Sequence, residues 1–336
     1  MPSKDMNKQY ILVVAEEYDL TADAVILELR KSGHSPIRFD PGNSPIKAGF
    51  SLPLPFSGKD GLLQTENRLV KLSSIKSVFW RIRHNSFAFR ESYSYASAFR
   101  DVETNIGLDL LWSSLSCSWV NSPDYISGFG NIATQQKVAN ACGFSVPKTL
   151  ITNQIEPLLA FLRACGGRAI YSPLSRSAMS DGAAPLGGAE FVSQCPLSSR
   201  IVDEHDIIGH DSAIEAAPCH FQEFTDAETF VHVVIVSNQI FAVETDCNDA
   251  VLPSMWKECS SSQTNFRACL FNETDAQRCR SFANRLELKY CVINFAKSSF
   301  GALTFLSCDS CGCCLALHLQ HPEFNLISKL TNLLIA

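Results

Sequence analysis

The sequence predicts a mixed fold, α/β in its first part and α+β beyond it. Three observations carry that expectation. The chain opens on an apolar run, a segment of helical spacing and a second apolar run. The strand signals after residue 216 come mainly as hairpins. The length, 336 residues, makes about two domains at roughly 150 residues each, or one large domain with subdomains. The order of elements divides the chain at 1–122, 123–216 and 217–336.

In chain order, Tyr10–Ala15 reads as a buried strand. Ala24, Val25, Leu27 and Leu29 place a helix over Thr21–Lys31, with Gly33 as its stop. Pro36–Phe39 completes a βαβ opening. Pro41–Asp60, rich in Pro, Gly and Ser, predicts a loop or short hairpin. Ser77–Arg83 is a further strand, Val102–Ser116 an amphipathic helix, and Trp119–Pro123 a short strand ending in a turn. Ile132–Cys142 is a helix closed by Gly143, and Val146–Ile151 a strand. Pro157–Cys165 is a helix stopped by Gly166 and Gly167, and Ala169–Tyr171 starts another strand. Three glycines and a proline make Asp181–Gly188 a mobile loop. Cys219–Phe224 is a strand, and Phe230–Val236 with Gln239–Glu244 forms a hairpin around Ser237 and Asn238. Asp275–Leu286 is a helix, Tyr290–Phe295 and Ala302–Leu306 are strands, and Leu326–Leu334 is a C-terminal helix.

With 28 basic and 34 acidic side chains, the net charge is −6. That balance argues against a dedicated nucleic-acid binder or a protein held on an anionic membrane. A hydrophobic content of 46% excludes global disorder and collagen-like structure. No window of about 18 apolar residues is present, so no transmembrane helix is expected. Tyr10–Ala15 is too short for a signal-peptide core and runs into Glu16 and Glu17, which predicts a cytoplasmic chain. The unusual number is 14 cysteines. In a long chain without an export signal these are expected to be reduced thiols. Cys117, Cys142, Cys165, Cys195, Cys219, Cys247, Cys259, Cys269, Cys279 and Cys291 are scattered and read as small core residues. Cys308, Cys311, Cys313 and Cys314 sit together.

Several phrases run through the chain in one order: Asp19–Asp23, Phe79–Arg83 (FWRIR), Val120–Pro123 (VNSP), Ala141–Asn153 (ACGFSVPKTLITN), Phe221–Phe224 (FQEF), and Tyr290–Phe295 (YCVINF) leading to Thr304–Leu306. Together they resemble the ATP-grasp superfamily, and within it the ribosomal-peptide maturases related to the microviridin macrocyclases. The resemblance implies an ATP-grasp fold with an N-terminal α/β (pre-ATP-grasp) domain over 1–122, a central ATP-grasp subdomain over 123–216 and a C-terminal one over 217–336. It also implies a chemistry. Such ligases activate a carboxylate as an acyl phosphate, which an amine or hydroxyl attacks to give an amide or ester; in the macrocyclases both groups lie on one precursor peptide whose leader docks on the enzyme. Lysines, arginines and Mg²⁺ must neutralise the phosphates.

On this chain the resemblance sets uncharged residues at most of those places. Ile132 stands where the family has a phosphate-binding lysine, with Lys137 on another face of the same helix. Ser172 stands at the second lysine, with Arg176 the nearest cation on the following loop. Gln222, Glu223 and Phe224 match the adenine hinge. His232 takes the place of an arginine, and Met255–Lys257 is nearest to an Asp-Trp-Arg phrase. Asn294 replaces the metal-binding acid of Ile-Asp-Phe. Ser307 replaces the glutamate, and Asp309 the asparagine, of the second metal phrase, while Gly312 stays in register.

Cys308, Cys311, Cys313 and Cys314 occupy that second metal phrase. Three readings stand: sequence relaxed after the loss of Mg²⁺, a soft-metal or redox site with His318 and His321 close behind, and a catalytic thiol. Arg81 and Arg83 alternate on a strand and read as a solvated face, or as cations for a peptide carboxylate or another subunit. His205 and His210, beside Asp206 and Asp211, match no ligand spacing. The function expected is a non-catalytic ATP-grasp protein, a scaffold or regulator in peptide modification with no cofactor. Its partners would be a precursor or leader peptide, an intact ATP-grasp paralogue, or a second copy as a homodimer; no nucleic acid and no membrane is expected. The alternative is an active ATP- and Mg²⁺-dependent peptide ligase or macrocyclase.

Overall fold

The computed structural model describes residues 8–43, 48–54, 60–66, 68–82, 95–125, 131–172, 174, 199–246, 265–312 and 314–336. Arg83, Arg176, the 181–188 loop, Lys257, Cys195, Cys247, Cys259 and Cys313 lie outside the described residues.

The opening is βαβ, as expected. β1 (Tyr10–Val14), α1 (Leu20–Lys31) and β2 (Pro36–Phe39) lead to a four-stranded parallel sheet. Its order is β2-β1-β6-β7, with β6 at Ile75–Trp80 and β7 at Ser118–Val120. Continuous apolar runs such as Ile11–Val14 suit strands covered on both faces. Asp19 caps α1 by accepting from Ala22 N at 2.9 Å. Between β2 and β6 the chain makes a small antiparallel sheet of β3 (Gly49–Ser51), β4 (Leu62–Thr65) and β5 (Arg68–Lys71). Only β3 falls in the segment expected to be loop or hairpin. The other two strands were not expected, because each is too short to show more than one buried residue, Leu63 and Val70. Helix α2 runs from Tyr95 to Ser113, starting earlier and ending sooner than Val102–Ser116.

After α3 (Ile132–Ala141), a second sheet of order β10-β9-β11-β8 is antiparallel in every described pairing. Its strands are β8 (Thr149–Thr152), β9 (Arg168–Ser172), β10 (Arg200–Asp203) and β11 (Cys219–Glu223), covered by α4 (Ile155–Ala164). Two short helices not expected from periodicity, α5 (Glu204–Ile207) and α6 (Asp211–Glu215), follow β10. The expected strand Val146–Ile151 begins at Thr149, since Pro147 cannot donate to a ladder.

The third sheet is β14-β13-β12-β15-β16: β12 (Thr229–Val236), β13 (Gln239–Asp246), β14 (Arg267–Ala268), β15 (Tyr290–Lys297) and β16 (Leu303–Asp309). The hairpin at Ser237 and Asn238 forms as expected, with Ser237 at φ 56°. α7 (Glu273–Arg285) packs on one face through Cys279 and Phe282. α8 (Leu315–Gln320) and α9 (Leu326–Ile335) pack on the other, against α1 and β1. β16 is longer than Ala302–Leu306 and carries Ser307, Cys308 and Asp309 inside the ladder.

Candidate functional site

The uncharged residues at the expected ligase positions fall on adjacent strands of the large sheet. His232 on β12 stands opposite Asn294 on β15, which stands opposite Ser307 on β16. Thr245 on β13 comes from the other side. All four are buried. His232 Nδ1 donates to Asn294 Oδ1 at 2.9 Å, and Asn294 Nδ2 donates to Ser307 Oγ at 3.1 Å. With Nδ1 protonated, His232 Nε2 accepts from Thr245 Oγ1 at 3.1 Å. Burial pushes the imidazole pKa down to about 4, against a smaller opposing effect of the Asn294 bond, so the ring is neutral at pH 7. The edge of the ring of His232 faces Phe266, with ring centroids 6.1 Å apart. Among the described residues the result is a neutral chain of hydrogen bonds.

Asp309 ends β16, and its Oδ1 accepts from Cys311 N at 2.9 Å, holding the turn that follows. Among the described residues no three His, Cys, Asp or Glu side chains gather as a metal site.

Two further expected positions, Ile132 and Ser172, carry uncharged side chains among the described residues. Ile132 opens α3 behind the cap Asn131, which accepts from Thr134 N at 2.8 Å, and Lys137 is exposed further along. Ser172, at the end of β9, lies 2.6 Å from Ser199 Oγ, both buried. Gln222 and Glu223 lie on β11, and Phe224 directly follows it. Glu223 accepts from Lys148 Nζ at 3.2 Å, and the Arg168 guanidinium sits 4.1 Å from the centroid of the Phe224 ring. Gln222 Nε2 is buried without a described hydrogen-bond partner.

Of the Cys308–Cys314 group, the described members Cys308, Cys311 and Cys314 do not come together. Cys308 faces the core under α7, Cys311 the core of the parallel sheet, and Cys314 the core shared by α1, α8 and α9. The hydrogen bond to Cys291, together with burial, pushes the Cys308 thiol well up, so it stays protonated.

Side chains the sequence did not mark as important fix this segment. Gln135 on α3 brackets Cys308: its Nε2 donates to the carbonyl at 3.0 Å and its Oε1 accepts from the amide at 2.9 Å. Asn121 donates to Tyr290 O at 2.7 Å and Ser310 O at 3.0 Å, and accepts from Lys289 N at 2.8 Å. Arg81 corrects an expectation. It is not on a solvated face: only 8% of it is exposed. Its Nε pairs with Asp19 at 2.9 Å, and Nη1 donates to Cys311 O at 2.8 Å and Gly312 O at 2.9 Å. Burial tends to raise the Asp19 carboxyl, but the charge and hydrogen bond of Arg81 outweigh it and hold the carboxyl below its ordinary value. Tyr290 Oη donates to Gly312 O at 2.7 Å. His205, within α5, and His210, just before α6, are exposed.

Gly312 has a steric reason to be glycine. A Cβ there would stand 2.9 Å from Val292 Cβ and closer still to Cγ2. Gly312→Ala is expected to lower stability by about 1–3 kcal/mol, read from chemical denaturation.

No protein-family model matches the sequence, and no curated protein matches it. Solved structures do match in fold. The macrocyclase MdnC of Microcystis aeruginosa MRC, bound with the precursor peptide MdnA, superposes with a TM-score of 0.81 at 17% identity, over 98% of this chain and 99% of that one. A RiPP-associated ATP-grasp ligase of Chryseobacterium gregarium, in complex with ADP and a leader and core peptide, gives 0.76 at 17% identity over 97% and 96%. The macrocyclase MdnB of Microcystis aeruginosa MRC gives 0.76 at 19% over 97% and 99%. No helix among the described residues is long and apolar enough to cross a membrane. From end to end the chain therefore has the ATP-grasp fold, in the form seen in ribosomal-peptide macrocyclases.

Proposed function

We propose that the chain is a non-catalytic ATP-grasp-fold protein that binds a precursor or leader peptide, as a scaffold or regulator in ribosomal-peptide modification. The observation that carries this reading is the neutral chain Thr245–His232–Asn294–Ser307. ATP-grasp ligation needs cations on the phosphates and carboxylates on Mg²⁺. Here Asn294 bonds both to Ser307 and to a neutral imidazole. One oxygen of Asp309 is held by a backbone amide. These groups do not fit Mg²⁺. Losing a single preorganised charge-stabilising group costs about 3 kcal/mol in transition-state stabilisation, and several are replaced together. The peptide part of the reading is carried over from the structural relatives, one bound with its precursor and another with a leader and core peptide.

Calorimetry with Mg²⁺-ATP on the full chain tests it. The expected result is no binding tighter than about 1 mM, together with binding of a leader peptide encoded beside the gene. Micromolar nucleotide binding, with phosphate release on adding the peptide, overturns it.

One observation favours a second reading, an active peptide ligase. The buried Nε2 of Gln222 on the hinge strand is a donor suited to a nucleotide. Mass spectrometry of a co-expressed precursor peptide separates the two: loss of one water by ester or amide formation supports the ligase, and an unmodified peptide supports the scaffold.

A further inference from the structure

The large sheet carries a groove on the face away from His232. Along β12, Val231, Val233 and Ile235 pack under α7, and His232 and Val234 alternate with them to the other face. On the α7 side, the C-terminal end of α3 and the first turns of α7 leave a groove of about 650 Å³ between them. That volume is in the range of small-molecule sites. Thr274, Gln277, Arg278 and Ser281 stand at i, i+3, i+4 and i+7, so one face of α7 supplies a wall. Glu273 also lines the groove, and Cys142 enters it from the cap of α3.

The groove combines a thiol with both charges. Cys142 is half-buried, and its Sγ donates to Ser281 Oγ at 3.7 Å, across the groove. Arg278 lies against the next residue: a Cβ added at Gly143 would stand 3.4 Å from its Nε. The guanidinium is 6.0 Å from the centroid of the Phe144 ring, and its Nη1 donates to Asp275 at 3.1 Å. These contacts fix a cation beside a partly exposed thiol, the setting in which cysteines react. Glu273, 80% exposed and paired with Arg280 at 2.7 Å, stands five residues before Arg278, about 7.5 Å along the helix axis. A carboxylate and a guanidinium so spaced suit a ligand that carries an ammonium and a carboxylate. Other described cysteines are less suited. Cys279, Cys291, Cys308, Cys311 and Cys314 are buried, and burial pushes up the thiols of Cys117, Cys165, Cys219 and Cys269.

We propose that this groove takes a small zwitterionic thiol peptide in its disulfide form, and that Cys142 exchanges with it to give a mixed disulfide. Cys142 gives up its proton and attacks one sulfur of the ligand. An S–S bond forms to Cys142, the ligand's own S–S bond breaks, and the other half departs as a thiolate that takes up a proton. The ligand disulfide is the oxidant, and the retained half stays bound. Arg278 holds a carboxylate of that half and Glu273 its ammonium. Excess free thiol peptide reverses the exchange, so occupancy follows the ratio of disulfide to thiol.

The test incubates the reduced full chain with glutathione disulfide and follows the Cys142 peptide by mass spectrometry. The expected result is a glutathione adduct on Cys142, reversed by dithiothreitol. Arg278→Gln is expected to slow that reaction about tenfold or more. The same variant is expected to keep the wild-type rate with hydroxyethyl disulfide, which is uncharged. A wild-type chain whose Cys142 stays unmodified overturns the proposal, and so does an adduct rate that Arg278→Gln leaves unchanged. Equal slowing with both disulfides also overturns it, because Arg278 would then hold α7 in place rather than bind the ligand.

Discussion

Arg81→Met is expected to lower the stability of the chain by about 3–5 kcal/mol, measured by denaturant unfolding at neutral pH. The side chain is almost wholly buried and holds three groups at once: the Asp19 carboxylate and the carbonyls of Cys311 and Gly312. Removing it leaves a buried carboxylate without its counter-charge and two buried carbonyls short of a donor. The penalty therefore exceeds the net worth of the pair itself. Asp19→Asn in the Arg81→Met background should recover a good part of the loss, because the unpaired charge is gone. A drop of less than about 1 kcal/mol for Arg81→Met would show that water reaches the pair and that the clamp is not structural.

Acid is expected to weaken the fold through His232. Its pKa is about 4 in the folded chain, against an ordinary value of 6.5 once unfolded. Between these values the unfolded chain binds the proton more readily, so stability falls as the pH drops from 6.5 toward 4 and this contribution levels off below. The full difference is about 3 kcal/mol. Carboxylates titrate in the same range, so the measurement is the difference between the wild type and His232→Gln across that window. If the two stability curves run parallel, the imidazole is not buried in neutral form, and the reading of the site as an uncharged network fails with it.

The sequence made the large divisions legible because they rest on periodicity and on stop signals. Ile11–Val14 and Val231–Val236 are unbroken apolar runs, and Gly33, Gly143 and Gly166 end helices at positive φ. It also showed which residues stand at the positions the resemblance marks, such as Asn294 and Ser307, since a residue's identity needs no geometry. What it hid were long-range polar contacts. Nothing near Arg81 in the sequence distinguishes a solvated arginine from one paired with Asp19, because strand alternation says only that it faces away from Trp80. Gln135 looks like any polar helix residue until β16 lies against α3. The short strands β4 and β5 were hidden because two four-residue strands with one buried side chain each leave no period to count.

Cys308, Cys311 and Cys314 lie within one turn of chain, yet each closes a different core. This short stretch works as a keystone shared by all three. The parallel-sheet core lacks a wall until Cys311 arrives from more than 200 residues away, and α1 packs against α9 at the far end of the chain. Dissection at residues 122 or 216 would thus leave the N-terminal piece open on the side those residues fill. The chain is expected to behave as one cooperative folding unit, and this segment has a structural reason to stay apolar and tightly bracketed even where no chemistry depends on it.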